Sequence, residues 1–142
     1  VKKPGIDYSK CLYFSANALA RKTEKLALES WSKIKLTPSH GYLLMLVIDE
    51  PGMQPGALAT SLQLTPSTVT RLILKLEKMK LLERTFEGKM TFVYPTAKGK
   101  ALLPLMKACQ KEFFANYSNI LGIQASTRLA MDMIKVTEKL KA

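Results

Sequence analysis

The sequence predicts a mostly α-helical fold that carries one small β-hairpin. Three observations predict it. Apolar residues recur at helical spacing over most of the 142 residues. Thr-Pro occurs at Thr37-Pro38 and again at Thr65-Pro66, each time just ahead of an apolar-periodic stretch. That pair is a helix cap followed by a first-turn proline. Between Leu82 and Tyr94 the period changes from helical to two, with Glu87-Gly88 as the turn signal.

Residues 7–33 read as one long helix, because Cys11, Phe14, Ala18, Leu19, Leu26 and Trp31 recur near helical spacing among lysines and arginines. A second helix is expected over 38–49. Its dense apolar content (Leu43, Leu44, Leu46, Val47, Ile48) predicts burial on most sides, and Pro51-Gly52 ends it. Met53-Gln54 is a short extended piece. Residues 55–62 make a short helix facing inward through Leu58, Ala59 and Leu62. Gln63-Leu64 is a turn, and Gln63 stands where a left-handed conformation favours Gly, a departure costing about 1 kcal/mol.

The stretch Thr65–Leu82 comes next. On a helix, Val69, Leu72, Ile73, Leu76 and Met79 share one arc, while Ser67, Arg71, Lys75 and Lys78 share the opposite one. Two short helices joined by a tight turn form a helix-turn-helix, and the hairpin after them is a wing. Thr96 caps another helix over 97–118, which Pro104 should kink, and Asn119 and Gly122 mark its end. A last helix over about 124–141 carries Leu129, Met131, Met133, Ile134, Val136 and Leu140. Both terminal helices hold more apolar surface than a small monomer should expose, so they are expected to pack against a second copy.

Charge narrows the function. The net charge of +11 is uneven. Residues 65–100 carry eight basic and three acidic side chains, whereas residues 36–64 carry only Asp49 and Glu50. Positive charge concentrated on the capped helix and on the hairpin segment behind it fits a nucleic-acid footprint. Small hydroxyls at the helix start can approach base edges, and Arg or Lys further along can reach phosphates or guanines. An acidic lipid surface fits less well, for no helix joins a cationic face to a bulky aromatic one. The longest apolar run, Tyr42–Ile48, is too short for a membrane span, and the N-terminus lacks the apolar core of a signal peptide. A soluble cytoplasmic protein is expected, with Cys11 and Cys109 as reduced thiols. No cofactor or metal is expected from one histidine and two cysteines. No enzyme is expected either: His40 has no nucleophile at recognisable spacing, adjacent Asp49 and Glu50 diverge on a helix, and there is no phosphate-binding glycine loop.

Several local stretches, in this order, resemble the MarR family of bacterial transcription regulators. They are Leu36-Thr37-Pro38-Ser39-His40, Leu58-Ala59, Ser67-Thr68-Val69-Thr70-Arg71-Leu72, Leu76-Glu77-Lys78-Met79-Lys80-Leu81-Leu82-Glu83-Arg84, and Pro95-Thr96-Ala97-Lys98-Gly99. The resemblance spans nearly the whole chain. It implies a single MarR-like domain over 1–142, with a winged helix-turn-helix DNA-binding lobe at 36–96. Residues 1–35 and 97–142 would form a helical dimerisation lobe. It also implies a homodimer on pseudo-palindromic double-stranded DNA, acting as a regulator, in the usual case a repressor, that a small ligand or oxidation releases. By position, Pro66, Ser67, Thr68, Thr70, Arg71 and Lys75 become the major-groove candidates, and Arg84 the phosphate-contacting one. The wing departs from the family pattern. It is shorter, and Glu87 and Lys89 stand at the Asp-x-Arg positions, so Lys89 lacks the guanidinium fork.

The resemblance further implies a crevice for a small aromatic ligand between the two lobes. Tyr13, Trp31, His40, Tyr42 and Met45 are its candidates, against the plainer reading of core or interface residues. One branch of the family senses peroxides through a Cys near the start of the first helix. Cys11 sits there beside Lys10, which would favour the thiolate that oxidation needs. Ser15 stands where that branch has Tyr, which favours an inert thiol. The remaining alternative is a winged helix used for protein interaction, with no specific DNA target.

Overall fold

The computed structural model describes Gly5 and residues 7–140. The described chain forms two compact units. One is Trp31–Gln110; the other joins the chain up to Ser30 with the residues from Lys111 onward.

The Trp31–Gln110 unit holds the core. It contains α2 (Pro38–Asp49), α3 (Pro55–Leu62), α4 (Pro66–Lys78), the strands β1 (Leu82–Glu87) and β2 (Met90–Pro95), α5 (Ala97–Ala101) and the start of α6 (Leu103–Leu121). The bounds of α2 and α3 are those expected, and local chemistry explains them. Thr37 caps α2 by accepting from the His40 amide, and Pro38 occupies the first turn. Gln63 ends α3 at φ 56°, ψ 43°, the left-handed conformation expected there. Leu43, Leu44, Val47, Leu58, Val69, Leu76 and Val93 are fully buried together. Gly41 admits the ring of Trp31, since a Cβ would lie 2.0 Å from the indole.

The strands pair antiparallel, from Leu82 with Pro95 to Glu87 with Met90. The loop is therefore Gly88-Lys89, one residue later than the Glu87-Gly88 signal. Gly88 takes φ +61° at the first central position, as a II′ turn requires. Met53 bridges to Val93, tying the extended piece after α2 to the hairpin.

The helix expected over 97–118 is two helices. The Pro104 ring would collide with the Lys100 carbonyl, and Pro104 has no N–H to offer it. The chain therefore closes α5 with a tighter bond, Leu102 N–H to Gly99 O at 3.1 Å, and restarts with Pro104 in the first turn of α6. Helix α6 then passes Asn119 and stops only at Gly122, with φ +88°.

In the other unit, the helix expected over 7–33 is a 3-10 turn at Tyr8–Lys10 followed by α1 (Leu12–Ser30). Asp7 caps the turn by accepting from the Ser9 amide, and the extended backbone of Cys11 separates the two pieces. The last helix, α7, covers Ile123–Lys139; Lys141, included in the expected range, lies outside the described residues. The buried side chains of this unit are small: Ala27, Ser30, Ser118 and Ser126. Its large apolar residues are exposed instead, including Leu12, Tyr13, Ile120, Ile123, Met131 and Leu140. No helix among the described residues is long and apolar enough to cross a membrane.

Candidate nucleic-acid interface

Helix α4 is built to present one face. Thr65 caps it, accepting from the Thr68 amide at 3.3 Å, with its Oγ1 2.9 Å from the Thr68 hydroxyl and 3.2 Å from that of Ser67. Val69, Leu72, Ile73 and Leu76 are buried, and Met79 is half-buried. Pro66, Ser67, Thr70, Arg71, Lys75 and Lys78 are exposed, with Thr68 half-buried. The Arg71 guanidinium donates to Thr68 Oγ1 at 3.4 Å, and the Thr70 hydroxyl donates to the Pro66 carbonyl at 3.0 Å. These contacts hold the hydroxyl cluster and the first cation in fixed positions. Leu74, not singled out from the sequence, is 46% exposed and lies on the same face as the cations.

Each flank of this face has its own arrangement. On the Lys75 side stands His40 at the start of α2, with Nδ1 2.6 Å from Thr37 Oγ1. Burial and, secondly, the Lys75 charge hold His40 below its ordinary pKa. On the Glu77 side stands the wing. Arg84 Nε and Nη2 donate to Glu77 Oε2 and Oε1, both at 2.9 Å, in a bidentate pair. That hydrogen bonding lowers the Glu77 pKa and raises that of Arg84. The resemblance implied a phosphate contact for Arg84. In the structure two of its five donors are engaged, and its guanidinium lies 5.4 Å from the Phe86 ring centroid. Phe86 is 64% exposed. Lys89 is exposed in the turn.

The far end of α4 is gripped by the segment after the wing. Thr96 Oγ1 donates to the Lys80 carbonyl at 2.7 Å and accepts from the Gly99 amide at 3.0 Å. The Thr96 amide donates to the Leu81 carbonyl at 3.1 Å, and Lys98 Nζ donates to the Met79 carbonyl at 3.2 Å. Lys80 takes φ +62° to turn the chain out of the helix. The sequence signal for this grip is Pro95-Thr96-Ala97-Lys98-Gly99, which by itself shows only a cap and a family stretch.

The remaining candidates have other surroundings. Trp31 and Tyr42 pack with ring centroids 5.5 Å apart; Trp31 is buried, and its Nε1 has no hydrogen-bond partner among the described residues. Tyr42 and Met45 line a cavity of about 440 Å³ with Leu46, Asp49, Leu62, Leu103 and Lys107. Its lining includes neither Tyr13, Trp31 nor His40. Tyr13 is an exposed residue of α1. Cys11 is half-buried; Lys10 pairs with Asp7 at 3.9 Å, and the Ser15 hydroxyl donates to the Cys11 carbonyl, not to its sulfur. Cys109 is buried in the core. Among the described residues no three His, Cys, Asp or Glu side chains gather where they could hold a metal ion.

Comparison with known proteins bears on the fold that carries this face. Residues 34–89 match the model of the MarR family. The fold is similar to that of PcaV, a transcriptional regulator from Streptomyces coelicolor solved with its natural ligand (TM-score 0.81, 15% identity, covering 97% of this chain and 99% of that one). It is similar to CouR from Rhodococcus jostii RHA1 bound to p-coumaroyl-CoA (TM-score 0.80, 16% identity, 96% and 98%). It is similar also to MepR from S. aureus in complex with DNA (TM-score 0.77, 18% identity, 92% and 98%). No curated protein matches the sequence significantly. The segment that matches the MarR family model thus spans α2, α3, α4 and the first strand of the wing, and the fold around it is similar to that of the solved regulators.

Proposed function

We propose that the chain is a DNA-binding transcriptional regulator, a repressor that a small ligand displaces from its operator. The observation that carries the reading is the α4 face: a capped hydroxyl cluster followed by exposed Arg71, Lys75 and Lys78, backed by buried Val69, Leu72, Ile73 and Leu76. Ser67, Thr68 and Thr70 read base edges in the major groove, while Arg71 and Lys75 anchor the helix to phosphates or guanine. Affinity comes mainly from the phosphate contacts and falls steeply with salt. The protein works in the cytoplasm as a homodimer on a pseudo-palindromic site. Its second copy covers the exposed apolar residues of α1 and α7, in which Leu129, Met133, Val136 and Leu140 repeat at three- and four-residue steps. The α2–α3–α6 cavity, apolar with a few polar groups, is the right size for a small aromatic effector.

The test is binding to duplex DNA from the region upstream of the protein's own gene, against a scrambled duplex of the same composition. Preferential binding to the first supports the reading. Arg71→Ala should weaken it and reduce the salt slope by about one contact. Wild-type binding by that variant across salt would show that α4 does not dock this way.

One observation favours a second reading, a winged helix that docks on protein. The wing carries Glu83 and Glu87 against Arg84 and Lys89, so it has no net positive charge, and it exposes Phe86 and Met90. Equal, weak and salt-sensitive binding to both duplexes would support that alternative. Peroxide sensing through Cys11 is tested by hydroperoxide treatment: DNA release that survives Cys11→Ser excludes it.

A further inference from the structure

We infer that Leu74 makes the protein a reader of the 5-methyl group of thymine, so that binding depends on base methylation at one position of each half-site. The inference rests on the DNA-binding function proposed for α4. Leu74 is 46% exposed, although its neighbours Leu72, Ile73 and Leu76 are buried. At about 100° per residue, it stands within about 20° of Ser67 around the helix and about 40° from Lys78. Thr70 flanks it on one side, and Arg71 and Lys75 on the other. It therefore occupies the centre of the face that carries the hydroxyls and cations, not its edge. The Arg71 guanidinium donates to Thr68 Oγ1 at 3.4 Å, and the Thr70 hydroxyl donates to the Pro66 carbonyl at 3.0 Å. Both flanking side chains thus lean back toward the start of the helix and leave the leucine open.

Charge complementarity names the occupant. An apolar partner surface would bury Arg71, Lys75 and Lys78 around one leucine without counter-charges, which is costly. Duplex DNA supplies phosphates along both walls of the groove instead. At the centre of a helix lying in the major groove, a side chain meets base edges rather than phosphates. Leucine offers those edges no hydrogen bond. Against a G·C pair it would bury N7, O6 and N4 without partners. An A·T pair presents an apolar group in this groove, the C5 methyl of thymine. The rise of about 1.5 Å per residue puts Leu74 roughly 10 Å beyond Ser67 along the helix. That distance spans about three base pairs at about 3.4 Å each. The methyl that Leu74 meets therefore belongs to a base pair outside those under Ser67, Thr68 and Thr70.

The test is binding to fluorescein-labelled upstream duplexes in which each thymine in turn is replaced by deoxyuridine. The replacement keeps the pairing, the phosphates and the O4 acceptor, and removes only the methyl group. At one thymine in each half-site, deoxyuridine should weaken wild-type binding about three- to five-fold, the worth of one buried methyl. The slope of log K against log salt should not change, because an apolar contact releases no counterion. Leu74→Ala should bind the unmodified duplex about three- to ten-fold less tightly, and should bind the thymine and deoxyuridine forms equally. Arg71→Ala should lower the salt slope and keep the preference for thymine. Leu74 is exposed, so Leu74→Ala should keep the wild-type circular dichroism and melting curve. If wild type binds the duplex and no deoxyuridine weakens it, the methyl contact is refuted and the DNA reading stands. The same holds if Leu74→Ala loses as much affinity to deoxyuridine as wild type does. Failure of wild type to bind any duplex refutes the DNA reading, and the inference falls with it.

Discussion

Replacing Gly99 with Ala should loosen helix α4 from behind. Gly99 lies in α5, and a Cβ built on it would stand 2.2 Å from the Leu81 carbonyl oxygen and 3.3 Å from Leu44 Cδ1. The first contact is with backbone, so no side-chain rotation relieves it. The α5 backbone must withdraw by about 1 Å to restore van der Waals distance. That withdrawal stretches the Thr96 N–H to Leu81 O bond and the Thr96 hydroxyl bond to Lys80 O. Two weakened hydrogen bonds at about 1 kcal/mol each, with overpacking of about 1–3 kcal/mol, are offset by roughly 1 kcal/mol of better helix propensity. The net loss is about 2–4 kcal/mol. Urea unfolding measures it as a lower midpoint at unchanged slope. At permissive temperature, DNA affinity should also fall, because the Met79–Leu81 end of α4 is held by this segment. Gly99→Ala with stability within about 0.5 kcal/mol of wild type would show that the junction yields freely, and that the grip does not hold α4 in this way.

Three further outcomes are expected. Gly41→Ala drives a methyl into the buried Trp31 ring, 2.0 Å from its nearest carbon, and should cost about 1–3 kcal/mol with a changed tryptophan emission spectrum. His40, held below its ordinary pKa chiefly by burial, resists protonation in the fold more than in the unfolded chain. Stability should therefore be complete above pH 6.5 and decline as pH falls below it, and His40→Asn should flatten that part of a pH series of melting curves. Met133→Asp, on the exposed stripe of α7, should shift the protein toward monomer in analytical ultracentrifugation; an unchanged dimer would place the interface elsewhere.

The helix-turn-helix was legible because its signals are local. Thr37-Pro38 and Thr65-Pro66 act within one turn of their helices, and the α4 arc depends only on helical period. The buried and exposed sides of that arc stand as the sequence indicated. What the sequence concealed depends on partners brought together by turns. Nothing periodic connects Glu77 to Arg84, seven residues away across the Lys80 turn, so Arg84 looked like a free phosphate contact. Phe86 fits the same alternation as Leu82, yet only Leu82 meets the core; the hairpin runs beyond the core's edge before its strand ends. Leu74 was hidden among the cations of its own face. The break before α6 was visible as Pro104, but whether a proline kinks or ends a helix depends on the bonds around it, and here Leu102 bonds back to Gly99 instead. The role of Gly99 needed the fold, since its neighbour Leu81 is eighteen positions away.

The Glu77–Arg84 pair has a consequence for how an operator would have to be written. It fastens the wing to α4, so the two cannot slide independently along a duplex. On any duplex that α4 enters, the base pairs under the helix and the flank under the wing must then sit at one fixed separation. One inserted base pair would displace the flank by about 3.4 Å and turn it by roughly a tenth of the helix. Such a duplex would satisfy the helix or the wing, never both. Glu77→Gln, by unfastening the pair, should make the protein more tolerant of that insertion while weakening its hold on the unaltered site.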